Sequence, residues 1–405
     1  MRTEREYWKQ LGEHLANARK LAGFTQEDVA ALLGLTRVAL SYIETGERPV
    51  SIPLLQRLAE IYRQPLAFFL GRAEPKAVRL AELLYRAAGG NHLLAKARAG
   101  IADFLNFLDA YADLLEEMEE ELLGRATSPY QLVEGYTTDQ DIRRKAEEVR
   151  DHLGLRLAPI TDLQALLEAE GVVMYYAPLG EDLEATISGA FVNHERLGFA
   201  ILVNSETSLG RQAFTLAHEY AHALFHSQRN VLVGCRSKVR DSKEYFADRF
   251  AAELLVPTAA LRKVMEHLRL PKRITDAEVV IHLQRFFNVS YQALLVRLRQ
   301  EQSLSQEDYH AFLRISPVAY AERLGYQPAP EEYGRREERV LRRYPHRFVE
   351  AVKQAYQRGI LTPSAAAELL RVSLDEAMEV LKPRGLQADA KHIREATTEW
   401  GAIVG

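Results

Sequence analysis

Apolar positions along most of this chain recur at spacings of three and four, the period of an α-helix packed on one side. Residues 1–72 follow that pattern in short segments broken by turn signals. Residues 73–130 follow it in longer segments that turn acidic, as in FLDAYADLLEEMEEELLGR. Between 131 and 205 the pattern changes. IRRKAEEVRDHLGL predicts an amphipathic helix ending near Gly154, while GVVMYYAPL, ATISGAFV and GFAILVN predict three strands, rich in β-branched and aromatic residues. The helical period returns from 210 to 300 and continues afterwards, interrupted at QPAPEEYG and YPHR, two expected linkers.

One segment inside the acidic helix is more regular. Ile101, Phe104, Leu108, Tyr111, Leu115, Met118 and Leu122 alternate spacings of three and four, an a/d seam. The seam fits a dimerisation helix, or equally a helix packed on its own chain.

The predicted elements imply a multidomain, mainly α protein. The expected divisions are an all-α domain at 1–72, a helical linker with a possible dimerisation helix at 73–130, an α+β domain with a small three-stranded sheet at 131–300, and a helical region at 301–405. The length of 405 residues suits two or three cores. Hydrophobic residues at 47% and charged residues at 27% fit a soluble globular protein. No apolar run approaches the roughly 18 residues of a membrane span, and one cysteine excludes an intrachain disulfide. Both suit a cytoplasmic location. A net charge of −4 excludes a globally basic nucleic-acid binder but leaves room for a local face.

In FTQEDVAALLGLTRVALSYIETGERPVS, Thr25 and Thr36 are placed to cap two helices, with Gly34 as the turn between them. Val29, Leu32 and Leu33 form an apolar stripe on the first; Val38, Leu40 and Ile43 are expected to pack inward from the second. Together with IETGERP, these features resemble the lambda-repressor-like helix-turn-helix of the XRE family over about 60 residues. The resemblance implies that the start of the second helix enters the major groove of double-stranded DNA. Thr36 lies at that edge, Arg37, Val38 and Ser41 would face bases, and Gln26 would lie near phosphate. Residues 1–72 hold ten Lys and Arg against eight Asp and Glu, so non-specific affinity should be modest and salt-sensitive. The alternative is a helix-turn-helix used only for packing or protein recognition.

The densest chemistry lies in TLAHEYAHALFH, residues 215–226. On a helix, His218 and His222 share a face and can grip one ion. Glu219 is rotated about 100° from His218, beside the ion, where it can act as a general base toward water. His226 lies eight residues beyond His218, about 12 Å up the helix, too far to share an ion bound at about 2.0–2.1 Å. It is read as a histidine of the helix face, or one that steadies a ligand. The third ligand is sought in DSKEYFADRFAAELLVP, where Glu244 and Asp248 share a second helical face. Glu244 would complete a His₂Glu site for zinc, with manganese a possible occupant. Asp248 would orient a ligand histidine.

RQAFTLAHEYAHALFH and EYFADRFAAELLVP, with the upstream helix and strands, resemble the gluzincin plan and more narrowly the ImmA/IrrE metallopeptidases, over about residues 140–300. The resemblance implies a cytoplasmic, selective zinc endopeptidase. Its targets in that family are typically XRE-type repressors, cleaved to release stress or defence genes.

Three further features are weaker. Cys235 lies between the two ligand helices and can be drawn as a thiolate that blocks the open coordination position, or as an idle small apolar residue. ATISGAFV or GFAILVN can offer an edge for an extended substrate, with Gly189 allowing close backbone approach. LQRFFNVSYQALLVRL and GILTPSAAAELLRVSLDEAMEVL are helix–turn–helix pairs; Asp375, Glu376 and Glu379 in the latter would repel phosphate. The reading of the whole is a DNA-binding transcriptional regulator, a homodimer, with zinc-dependent peptidase activity on a repressor-type protein. The alternatives are a ligand-sensing repressor whose metal site is structural or effector-binding, and an antitoxin-like interaction protein.

Overall fold

The computed structural model of the chain describes residues 4–21, 24–62, 66–69, 95–119, 126–133, 135, 137–181, 187–226, 232–234, 242–327 and 343–382. Its elements gather around three apolar cores.

The first core joins α1 (Glu4–Leu21), α2 (Gln26–Leu33), α3 (Arg37–Glu44), α4 (Ile52–Tyr62) and α5 (Leu66–Phe69). Thr25 and Asp28 form a reciprocal capping box at α2, Gly34 turns the chain at φ 68°, and Thr36 caps α3. Val29, Leu33, Leu40 and Ile43 are buried, but Leu32 and Val38 are 54% and 59% exposed. The inward packing expected of Val38 is therefore corrected. Leu40 and Ile43 already fill the inner face of a two-turn helix, and Val38 falls on the opposite side. Arg19 reaches from α1 to the carboxylate of Glu44 at 2.6 and 2.9 Å, and the amide of Gln26 donates to the same group at 2.8 Å. One buried carboxylate thus ties three helices together.

The remaining two cores lie on opposite faces of one sheet. Its strands β1 (Val173–Ala177), β2 (Gly189–His194) and β3 (Gly198–Asn204) match the three predicted apolar runs. A fourth, β4 (Leu232–Gly234), extends the sheet to the order β1-β3-β2-β4. β1 is parallel to β3; β2 is antiparallel to β3 and β4. Alternate residues feed alternate cores. Met174, Tyr176, Phe191, Ile201 and Val203 face one, Val173, Tyr175, Val192, Ala200 and Leu202 the other. Burial on both faces explains why the strands read as continuous apolar runs rather than alternating ones.

The helix α6 (Ala95–Glu117) carries the regular seam. Ile101, Phe104, Leu108, Tyr111 and Met118 are all buried against the sheet and the C-terminal helices. Phe107 stacks on Tyr175 at 5.0 Å and meets Phe348 edge-on at 5.0 Å. The seam is an intrachain surface, so the dimerisation reading of it is corrected; Leu122 lies outside the described residues. On the other face of the sheet sit α7 (Asp139–His152), α8 (Leu163–Ala169), α9 (Leu209–Phe225) and α10 (Ser242–Leu255), followed by α11 (Thr258–His267), α12 (Ala277–Phe287), α13 (Tyr291–Gln300), α14 (Gln306–Phe312) and α15 (Pro317–Arg323).

The chain then returns to the α6 side through α16 (His346–Gln357), α17 (Pro363–Leu370) and α18 (Leu374–Leu381). YPHR is no linker: Tyr344 is 4% exposed in the aromatic cluster and Pro345 begins α16. The last helical pair packs Leu370 and Leu381 into the same core, and Arg371 pairs with the buried Asp103 of α6 at 2.5 Å. QPAPEEYG lies almost wholly outside the described residues, where only its first residue is described. No helix among the described residues is long and apolar enough to cross a membrane.

Candidate metal centre and DNA-facing helix

Ser208 caps α9 by accepting from the Arg211 amide, and the helix runs unbroken through TLAHEYAHALF. One of its faces packs on β2 and β3, another on α10. His218, Glu219 and His222 are 5%, 0% and 0% exposed. α10 presents Glu244 in its first turn and Asp248 one turn later.

The three candidate ligands converge. The Nε2 atoms of His218 and His222 are 3.2 Å apart. The Glu244 oxygens stand 3.4 Å from the first and 3.3 Å from the second. Ligands at about 2.0–2.1 Å from a tetrahedral ion stand about 3.3–3.4 Å from one another. The triangle of donors therefore has the dimensions of three corners of such a tetrahedron, and two nitrogens with one carboxylate suit a divalent transition metal. Among the described residues this trio is the group of donors that can hold an ion.

The electrostatics agree with a site built for a cation. Burial opposes charge on His218, yet the Asp248 and Glu244 carboxylates outweigh it and lift the imidazole to about 10. Burial also opposes charge on Glu244, but hydrogen bonds from both histidines hold it well below the usual carboxylate range.

Each histidine has a partner on its other nitrogen. Asp248 Oδ1 lies 2.9 Å from His218 Nδ1, as the sequence spacing suggests. His226 Nδ1 lies 2.9 Å from His222 Nδ1. His226 is thus outside the donor trio but next to it, 5% exposed, and its ring meets Phe246 at 5.0 Å. Burial, then the neighbouring His222, lowers its pKa to about 3 and keeps it neutral.

Glu219 points from α9 toward β2. A Cβ placed on Gly189 would stand 2.5 Å from Thr215 Cγ2 and 3.3 Å from Glu219 Cγ. The close backbone approach expected at Gly189 is real, but α9 itself makes it rather than a substrate. Within GFAILVN no edge is free, because β3 is central; in ATISGAFV, Ala190–Val192 pair with β4, and Ala185 and Thr186 lie outside the described residues. β4 escaped the sequence reading because three residues carry too little periodicity to be seen. Cys235 lies outside the described residues.

With this geometry in hand, known proteins give it a context. Residues 168–299 match the model of the IrrE N-terminal-like domain. That match contains α9, α10 and the whole donor trio. Residues 10–67 match the model of a helix-turn-helix domain. The chain is also 25% identical over 84 residues to Metallopeptidase ImmA of Bacillus subtilis (strain 168). That alignment covers 20% of this chain and 50% of ImmA, so the chain spans about half the length of the curated relative it matches. Matches to an IrrE N-terminal-like domain and to a helix-turn-helix domain therefore lie in one polypeptide.

On the helix-turn-helix, Thr36, Arg37 and Val38 are exposed and Ser41 is half-buried at the start of α3. Arg37 Nε pairs with Glu27 at 3.2 Å, an exposed contact that DNA can displace at little cost. Gln26 is half-buried, its amide engaged by Glu44. The sequence reading missed Tyr42, which is 49% exposed on the same helix as Val38. Its spacing of four from Val38, away from Leu40 and Ile43, was the available signal.

Proposed function

We propose that this protein is a DNA-binding regulator that cleaves a repressor-type protein, with zinc held by His218, His222 and Glu244. Manganese fits the same donors. The observation that carries the reading is the donor triangle, with edges of 3.2 to 3.4 Å, beside a fully buried Glu219. When bound, zinc supplies polarisation of a peptide carbonyl and a more acidic water.

The chain's own groups then have distinct tasks. Glu219 takes a proton from water on a carboxylate oxygen and returns it to the leaving amine. Asp248 accepts from His218 Nδ1, which fixes the tautomer that leaves Nε2 free. His226, held neutral, accepts from His222 Nδ1 and does the same there. α3 reads the major groove through Thr36, Arg37, Val38, Ser41 and Tyr42, with Gln26 near the backbone. In this proposal residues 1–72 are the reader, 131–300 the peptidase and 301–405 a helical support, of which α16, α17 and α18 share a core with α6. Reading two half-sites in the cytoplasm calls for a dimer, through a surface other than the α6 seam.

The test is to incubate metal-loaded protein with candidate repressors, and with a second copy of itself. The expected result is cleavage that Glu219→Gln abolishes while metal content stays unchanged. Regulation that persists in full in Glu219→Gln would show that proteolysis is not the switch.

A further inference from the structure

A groove of about 860 Å³ runs away from the donor trio. Its walls are the N-terminal half of α9, one face of α10 from Tyr245 to Leu255, and α13. It starts behind the metal centre, on the Nδ1 side of His218, where Asp248 and Phe214 line it. Asp248 binds His218 at 2.9 Å, and the Phe214 ring lies 6.4 Å from the His218 ring. Its floor is apolar, from Ala252, Leu255 and Val289, and Val296 adds a 42%-exposed side chain.

The polar part of the lining is strongly one-signed. Four arginines line the groove and Asp248 is the one acid, already engaged by His218. Arg297 is neutralised from behind by Glu253 at 2.6 Å and Glu301 at 2.9 Å. Arg249 pairs with Asp139 at 2.9 Å; it is 7% exposed, and its Nε has no hydrogen-bond partner among the described residues. Arg211 and Arg299 have no acidic partner among the described residues. Arg211 reaches only the Ser188 hydroxyl at 3.4 Å, and Arg299 lies over the Tyr309 ring at 5.0 Å. The N-termini of α9 and α13, capped by Ser208 and Ser290, also open on the groove and add partial positive charge. An arginine fork without an acidic partner matches a carboxylate.

We propose that this groove receives the substrate chain on one side of the scissile bond and selects there for a carboxylate, on a side chain or at the chain's C-terminus, next to an apolar residue. The inference rests on the peptidase reading above and narrows its substrate class. The apolar floor takes the side chain adjoining the acid, and the exposed Arg211 and Arg299 take the charge. Electrostatic selection at a partly open groove weakens as salt rises.

The experiment measures binding of fluorescent peptides to full-length, metal-loaded Glu219→Gln, alongside cleavage by the wild-type protein. Three sets are compared: a Glu–Leu pair with an amidated C-terminus, a Gln–Leu pair with an amidated C-terminus, and a Gln–Leu pair with a free C-terminus. The expected result is that one carboxylate-bearing set binds at least about tenfold tighter than the neutral set, as a charge-assisted contact implies. Whichever set that is separates a side-chain from a terminal carboxylate. Adding Arg211→Glu and Arg299→Glu to the Glu219→Gln protein is expected to cancel or invert the preference, with metal content unchanged. Equal binding of all three sets, or a preference that survives charge reversal, overturns the proposal. If wild-type protein cleaves the neutral set as readily as the others, the groove assignment falls and the peptidase reading stands. If acidic peptides are preferred but never cleaved, the groove assignment stands and the peptidase reading falls.

Discussion

At the scale of single residues, the proposed metal centre has neighbours that lie outside its donor trio. Asp248 and His226 each fix one ligand histidine through its Nδ1 atom. Removing such a partner typically weakens metal affinity 10–100-fold. Asp248→Ala and His226→Ala are each expected to show that loss in competition with a chromophoric chelator. His226→Asn, which keeps an acceptor, is expected to recover part of it. A His226→Ala protein with unchanged affinity would reduce His226 to a packing residue. The meeting of His218 and His222 was legible in the sequence because side chains four residues apart share a helical face, with Glu219 turned to one side of it. So was the place of His226 outside the donor trio. Its contact with His222 was not: a side chain four residues on can point along the helix or away, and only packing against Phe246 decides which.

Among elements, α6 teaches most. A strict three–four alternation was compatible with a partner helix and with the chain's own core, because period reports that a stripe is buried and not what buries it. The sheet and α16 bury it. Leu108, which is 0% exposed, is the sharpest probe. Leu108→Ala is expected to destabilise the protein by about 2–5 kcal/mol, measured by denaturant unfolding, with the sedimentation coefficient of the native protein unchanged. A change of oligomeric state without loss of stability would restore the seam to an interface. The helix-turn-helix was more legible than α6. Its caps at Thr25 and Thr36 and its turn at Gly34 are local chemistry, acting within a few residues. Val38 misled because apolar character was taken as inward-facing, whereas Leu40 and Ile43 already fill the buried side of a two-turn helix and leave it exposed.

For the whole molecule, the sheet separates two cores, and one of them contains the donor trio while the reader has a third of its own. Metal binding should therefore stabilise part of the chain. A ligand at about 1,000 times its dissociation constant adds about 4 kcal/mol to the unit that binds it. Calorimetry is expected to show a transition that falls in temperature when metal is chelated, and another, from residues 1–72, that does not move. Two transitions shifting together would mean that reader and peptidase unfold as one body. DNA affinity is expected to fall as salt rises, with a slope set by the number of phosphates that Lys and Arg contact rather than by the net excess of two positive charges in residues 1–72, measured by binding of labelled duplex DNA at several salt concentrations.

What the sequence determined by itself is local: the caps, the three long strands, the helical face that carries two histidines, and a second face with two acids. Each rests on spacing within one element, and a helix or strand enforces its period wherever it lies. What only the tertiary structure decided is which faces meet. It brought Glu244 against His218 and His222, seated α9 on Gly189, added β4 beside β2, and enclosed α6 and Tyr344 in a common core. Those contacts join residues far apart in the chain, where the free energy comes from burying matched surfaces and no local pattern records the partner.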